Sequence, residues 1–185
     1  MIPEGIATLA DLDGEWFVAH TKARCEKALA WDLLNCKIPC FLPMIEQTSV
    51  WGDRKRKTLK PLFPSYVFFS GGAQDRYKVL TTGRVCQVIP VHQRQQFVTE
   101  LDAIRQTLSF NRALTLYPFV AVGRRCRVAR GPLKGIEGIV IQNQDSLRIV
   151  LQVTLLGQGA SLEIEADLLE PIEPFVASNR SDRGA

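Results

Sequence analysis

Residues that carry chemistry are scarce in this chain. Its 185 residues include only two histidines, His20 and His92, which stand alone rather than in a ligand-spaced group. No phosphate-binding G-x-x-x-x-G-K-[ST], dinucleotide G-x-G-x-x-G or nucleophile-elbow G-x-S-x-G occurs. The five cysteines are odd in number and follow no tight repeat. Cys36-x-x-x-Cys40 has no second pair to complete a zinc site, so the thiols read as reduced and unliganded, pointing to a cytoplasmic protein. No apolar run approaches the ~18–20 residues of a membrane span. The start, "MIPEGIATLADLDGEWF", has neither the basic nor the apolar region of a secretory leader. These absences predict a protein without catalytic residues, metal or cofactor, and without a membrane partner.

What is present is unevenly placed. The formal net charge is +4. Residues 53–60, "DRKRKTLK", carry five positive side chains and one negative, so this one segment accounts for the whole excess. It reads as a basic, solvated hairpin loop. Aromatic residues are only 8% of the chain, yet four of them fall within "KPLFPSYVFFS", residues 60–70.

Hydrophobic periodicity divides the chain in two. "EWFVAHTK" (15–22) reads as a strand. Residues 24–36 place Cys25, Ala28, Leu29, Leu33 and Cys36 on one helical face. Pro39 stops that helix, and "CFLPMIEQTSVW" is extended. After the basic loop comes the ring-rich strand. Residues 74–82 then form a short helix with Asp75 near its positive end, and 84–91 form a strand. Residues 93–108 set Phe97, Leu101, Ile104 and Leu108 along one helix face. The order β-α-β-β-α-β-α predicts a ferredoxin-like antiparallel sheet with helices on one face. Alternation then turns Val67 and Phe69 towards those helices and Tyr66 and Phe68 to the other face. Beyond residue 118 the runs are short and β-rich, separated by turns. Leu147, Ile149, Leu151, Val153 and Leu155 occupy every second position. About five such strands predict a small β-barrel. Leu147, Leu151 and Leu155 are also helically spaced, although the period of two favours strands. The implied division is a disordered start (1–13), an N-terminal domain (14–108), a linker (109–117) in which Leu114 and Leu116 can dock, a barrel (118–173) and a disordered tail (174–185).

"EWFVAHTKARCEKAL", "KPLFPSYVFF" and "VGRRCRVARGPLKGIEGIVI" stand in the order and spacing of NusG-like transcription elongation factors. The first two resemble that family's N-terminal (NGN) domain. The third resembles the KOW motif of its five-stranded, SH3-like C-terminal barrel. The resemblance implies that Phe63, Tyr66 and Phe68 line a pocket for the clamp helices of the largest RNA polymerase subunit. Phe63 lies three residues before Tyr66, so a regular strand would turn them to opposite faces. Pro64, which cannot donate a ladder hydrogen bond, marks where that parity would break.

By the same resemblance, Thr81 and Thr82 are candidates to touch the polymerase gate loop. Lys22, Arg54, Lys55, Arg56 and Lys57 are candidates to lie near upstream or non-template DNA. Gly131, Pro132, Lys134, Gly135 and Gly138 form the KOW turn, with Gly131, Gly135 and Gly138 permitting tight turns and positive φ and Lys134 exposed. The family's barrel contacts either the termination factor Rho or a small-subunit ribosomal protein. Two departures point to a specialised, RfaH-like paralogue: Ser65 replaces a frequent glycine, and "LLGQGASLEIE" replaces a phenylalanine-glycine-arginine turn. The implied function is a monomeric factor that suppresses pausing or termination and recruits a second factor through the barrel. The alternative is an RNA-binding or ribosome-associated KOW protein.

Overall fold

The computed structural model describes residues 8–51, 54–110, 113–117, 123–143 and 146–172, with backbone alone for 49–51, 54, 55 and 143. The N-terminal unit opens with a 3-10 turn, Leu9–Asp11, followed by β1 (Glu15–Thr21) and α1 (Glu26–Asn35). Then come β2 (Cys40–Phe41), the pair β3 (Met44–Trp51) and β4 (Arg54–Pro61), and β5 (Tyr66–Gly71). The unit ends with α2 (Ala73–Thr81), β6 (Val85–Pro90) and α3 (Arg94–Ser109).

The sheet order is β2-β5-β1-β6, antiparallel at every pairing. Strand β5 therefore splits β1-α1-β2, and β1 splits β5-α2-β6. That is the interleaved arrangement the element order predicts. On one face, Phe17, Ala19, Val67 and Phe69 pack with Leu29, Ala30 and Leu33 of α1 and Val79 of α2.

The expectation of helices on one face alone is not met. Trp16, Val18 and Phe68, on the opposite face, are covered by α3 through Phe97, Leu101 and Ile104. Phe97 meets the Trp16 ring edge-on at 5.9 Å and the Phe68 ring at 5.7 Å. The reason lies in β1 itself. Trp16, Phe17, Val18 and Ala19 are all buried, and a continuous apolar run needs cover on both sides.

Two further expectations change. The basic segment is not a loop: β4 pairs with β3 from Met44↔Pro61 to Trp51↔Arg54, as a separate two-stranded sheet. The loose start expected over 1–13 is docked from Thr8 onward. Leu9 is buried, and its N–H donates to Asp102 Oδ1 on α3 at 3.3 Å.

The C-terminal unit contains β7 (Thr115–Tyr117), β8 (Arg124–Val128), β9 (Glu137–Asn143), β10 (Ser146–Val153), β11 (Gln158–Glu163) and β12 (Leu169–Pro171). The order β12-β8-β9-β10-β11-β7 makes six antiparallel strands, one more than expected. The extra strand, β7, comes from the segment read as a linker and pairs with β11, while Leu114 is buried. Among the described residues, β7 and β12 end the sheet and no pairing closes it. The tail from 174 and the stretch 118–122 lie outside the described residues. Ile149, Leu151 and Val153 are buried as alternation requires, whereas Leu155 falls in a 3-10 turn, Thr154–Leu156, and is exposed. Helix α3 also packs against β10, so one apolar cluster runs from Trp16 through α3 to Ile149 and Val153.

Candidate functional site

The ring cluster is built where β4 gives way to β5. Strand β4 ends at Pro61 and β5 begins at Tyr66, leaving residues 62–65 to turn. Ser65 takes φ of 66°, a left-handed conformation that costs a residue with a Cβ. Its backbone is held on both sides. The N–H donates to Glu26 Oε1 at 2.7 Å, and the carbonyl accepts from Thr21 N–H at 2.8 Å. This turn breaks the strand parity at Pro64. Phe63 consequently joins Tyr66 and Phe68 on one side, its ring 6.0 Å from that of Phe68.

The three rings are not equally accessible. Phe63 is 1% exposed and Phe68 is fully buried, wedged among Phe41, Phe63 and Phe97. Tyr66 is half-buried at the edge of the cluster. Its ring stacks on His20 at 5.2 Å, across the His20↔Tyr66 register pair. His20 is a member of this surface that sequence reasoning left as a lone histidine. Its signal was parity, since it follows Trp16 and Val18 at steps of two.

The remaining candidates are spread out. Thr81 Oγ1 donates to Lys78 C=O at 2.8 Å and Thr82 Oγ1 to Val79 C=O at 2.7 Å, so both hydroxyls finish the last turn of α2. Asp75 caps the other end of α2. The Gly72 N–H and then the Lys78 ammonium lower its pKa, outweighing a small desolvation cost. Lys22 is exposed just after β1. Arg56 and Lys57 are exposed on β4, and Lys57 Nζ pairs with Glu46 at 3.1 Å. The side chains of Arg54 and Lys55 lie outside the described residues.

In the C-terminal unit, Gly131 and Gly135 have φ of 84° and 90°, as their turn roles require. Gly138 does not follow that expectation, because it sits within β9. A Cβ there would lie 2.6 Å from Ile149 Cγ1 and 2.7 Å from the Val150 carbonyl oxygen, so close approach demands the glycine. Lys134 and Pro132 are exposed, while Leu133 and Ile136 anchor the turn beneath them. Burial pushes the Cys40 thiol up to about 11, and its S–H points to the Ala30 carbonyl. Cys36 is exposed. Among the described residues, no three metal-ligating side chains group together, and no helix is long and apolar enough to cross a membrane.

A family model described as "Transcription termination factor nusG" matches residues 14–106. Those residues span β1 to α3 and include every ring of the cluster. Among solved structures, one titled "Crystal Structure of MjSpt4:Spt5 complex conformation B" is matched over 86% of this chain and 97% of that chain. The identity is 14% and the TM-score 0.25. No curated protein matches the chain.

Proposed function

The chain belongs to the NusG family of transcription factors, and from this we propose that it acts during elongation, gripping the RNA polymerase clamp helices with its N-terminal unit. In this reading it suppresses pausing or termination. The C-terminal sheet, read as the family's KOW module, recruits a second factor such as Rho or a small-subunit ribosomal protein. Recruitment through one chain raises that factor's local concentration at the polymerase. No step requires catalysis by this protein.

The observation that carries the reading is the Tyr66–His20 stack at the edge of the ring cluster. Half-buried aromatic residues backed by packed rings are the usual form of an interface anchor, because little side-chain freedom remains to be lost on binding. Phe63 and Phe68 support this anchor from beneath, rather than lining an open face. In this reading Thr81 and Thr82, at the end of α2, touch the polymerase gate loop. Lys22, Arg54, Lys55, Arg56 and Lys57 supply positive charge for nearby DNA in this reading.

The test is binding of the full chain to core RNA polymerase. Tyr66→Ala is expected to weaken it about thirtyfold, corresponding to ~2 kcal/mol for an aromatic anchor, while circular dichroism and thermal melting stay near wild type. Unchanged affinity in the folded variant would remove the ring cluster as the polymerase site.

A further inference from the structure

Helix α1 presents to solvent a ring that its own packing does not use. Its inward stripe, Leu29, Ala30 and Leu33, is buried against the sheet. Lys27, Trp31 and Asn35, each four residues from the next, form the outward stripe, and all three are exposed. Trp31 is 58% exposed. Beside it on β4 stands Leu59, 55% exposed, and Lys27 Nζ ties the two elements by donating to the Leu59 carbonyl at 2.7 Å. Leu59 shares a hairpin face with its register partner Glu46, and Met44 at the root of that face packs with the α1–α2 cluster. Alternation therefore puts the Leu59 side chain on the α1 side of the hairpin.

The charge left open around this patch has one sign. Among the described residues, the carboxylates of α1 and of that hairpin face are all engaged. Glu26 is buried and accepts the Ser65 N–H, Asp32 pairs with Arg84 at 2.5 Å, and Glu46 pairs with Lys57 at 3.1 Å. Arg24 just before the helix, Lys27 within it and Lys37 just after it are exposed cations. No ion pair among the described residues engages them.

We propose that the surface of Trp31 and Leu59 docks an acidic, apolar-anchored peptide segment of a partner protein, with Trp31 as the anchor and Lys27 as the charge at its rim. An apolar centre holding an aromatic residue, edged by polar groups, is the anatomy of a protein interface. Uncompensated cations around it select a partner carrying carboxylates. The same cations disfavour a second copy of this chain, because a two-fold contact lays the patch on itself and sets like charges together. Single-stranded nucleic acid is the poorer fit. It is held by successive rings along a basic track, and Trp31 is the one ring on the outward stripe of α1. The patch lies on the sheet face opposite Phe68 and Phe97, so its occupancy leaves the ring cluster open. The inference does not depend on the elongation reading.

The experiment is a fluorescence-anisotropy titration, with full-length protein and no polymerase, of a labelled peptide in which glutamates flank leucine and phenylalanine. A twin peptide carries lysine for every glutamate, and a labelled oligo-uridine RNA is run beside both. The glutamate peptide is expected to bind, more weakly as salt rises, and the lysine twin not to bind. Trp31→Ala should weaken binding about thirtyfold, as for an aromatic anchor, and Lys27→Gln several-fold with a reduced salt dependence. Tyr77→Ala, which removes a still more exposed ring from α2, should leave the affinity unchanged. Circular dichroism checks that all three variants are folded. The proposal is overturned if the glutamate peptide fails to bind, if Trp31→Ala binds like wild type, or if Tyr77→Ala weakens binding as much as Trp31→Ala. Tighter binding of the RNA than of the peptide would also overturn it, as would self-association that Trp31→Ala abolishes. Because polymerase is absent, failure here leaves the elongation reading to its own Tyr66→Ala test, and Tyr66→Ala should not change peptide binding.

Discussion

Ser65 shows how much a single backbone angle governs. Its φ of 66° reverses the chain between Pro64 and Tyr66 and brings Phe63 onto the side of Phe68. A serine there strains the turn, and the Glu26 carboxylate compensates by accepting its N–H from a site that is itself buried. Replacing Ser65 with glycine removes the Cβ but loosens the unfolded chain, so the two effects oppose each other. The expected result in urea denaturation is a change within about 1 kcal/mol, of stabilising sign. Ser65→Val, β-branched and intolerant of positive φ, should lose more than about 1 kcal/mol. Equal behaviour of the two variants would mean the angle is not what holds the turn.

Helix α3 serves three neighbours. Phe97, Leu101 and Ile104 cover the sheet, Glu100 reaches the C-terminal unit, and Asp102 holds the N-terminal segment. Burial alone would raise the Asp102 pKa. The Arg105 guanidinium at 2.6 Å, then the Leu9 N–H and the Gln106 amide, hold it below the usual carboxylate value instead. A carboxyl with a lowered folded pKa stabilises the fold above its unfolded value of ~3.9, and that contribution is lost as pH falls through the folded value. Asp102→Asn should therefore lower stability at neutral pH by roughly 1–2 kcal/mol and flatten the acid limb of the stability–pH curve. Denaturant melts between neutral and acidic pH would read both effects; an unchanged acid limb would place the acid sensitivity elsewhere.

At the scale of the molecule, the two units are joined by a small polar contact beside a shared apolar cluster. Glu100 accepts the Thr154 N–H at 2.9 Å and the Thr154 hydroxyl at 2.5 Å, and Gln96 donates to the same hydroxyl. These bonds are solvent-exposed, so each is worth on the order of 1 kcal/mol. Glu100→Ala should raise amide hydrogen exchange at Thr154 while leaving the amides of Ile149 and Leu151, which lie inside the β10 ladder, nearly unchanged. Uniform acceleration across β10 would instead make Glu100 a support of the whole C-terminal sheet.

Much of this molecule was legible in its residues. The alternation in "LRIVLQVTL" gave β10, although its last two residues belong to a turn. The stripe of Phe97, Leu101 and Ile104 gave α3. The order of helices and strands gave the interleaved N-terminal sheet. Local periodicity suffices for these, because each element buries the face its own side chains define. Tertiary structure alone decided three things. It brought α3 back over the face of Trp16 and Phe68, where separation in sequence hides the partner. It extended the basic segment into a strand by supplying β3 as its hydrogen-bonding mate, and it drew Thr115–Tyr117 out of the linker onto β11. In each case the local sequence permitted several conformations, and the choice was made by a backbone or apolar surface from a distant part of the chain that needed to be covered.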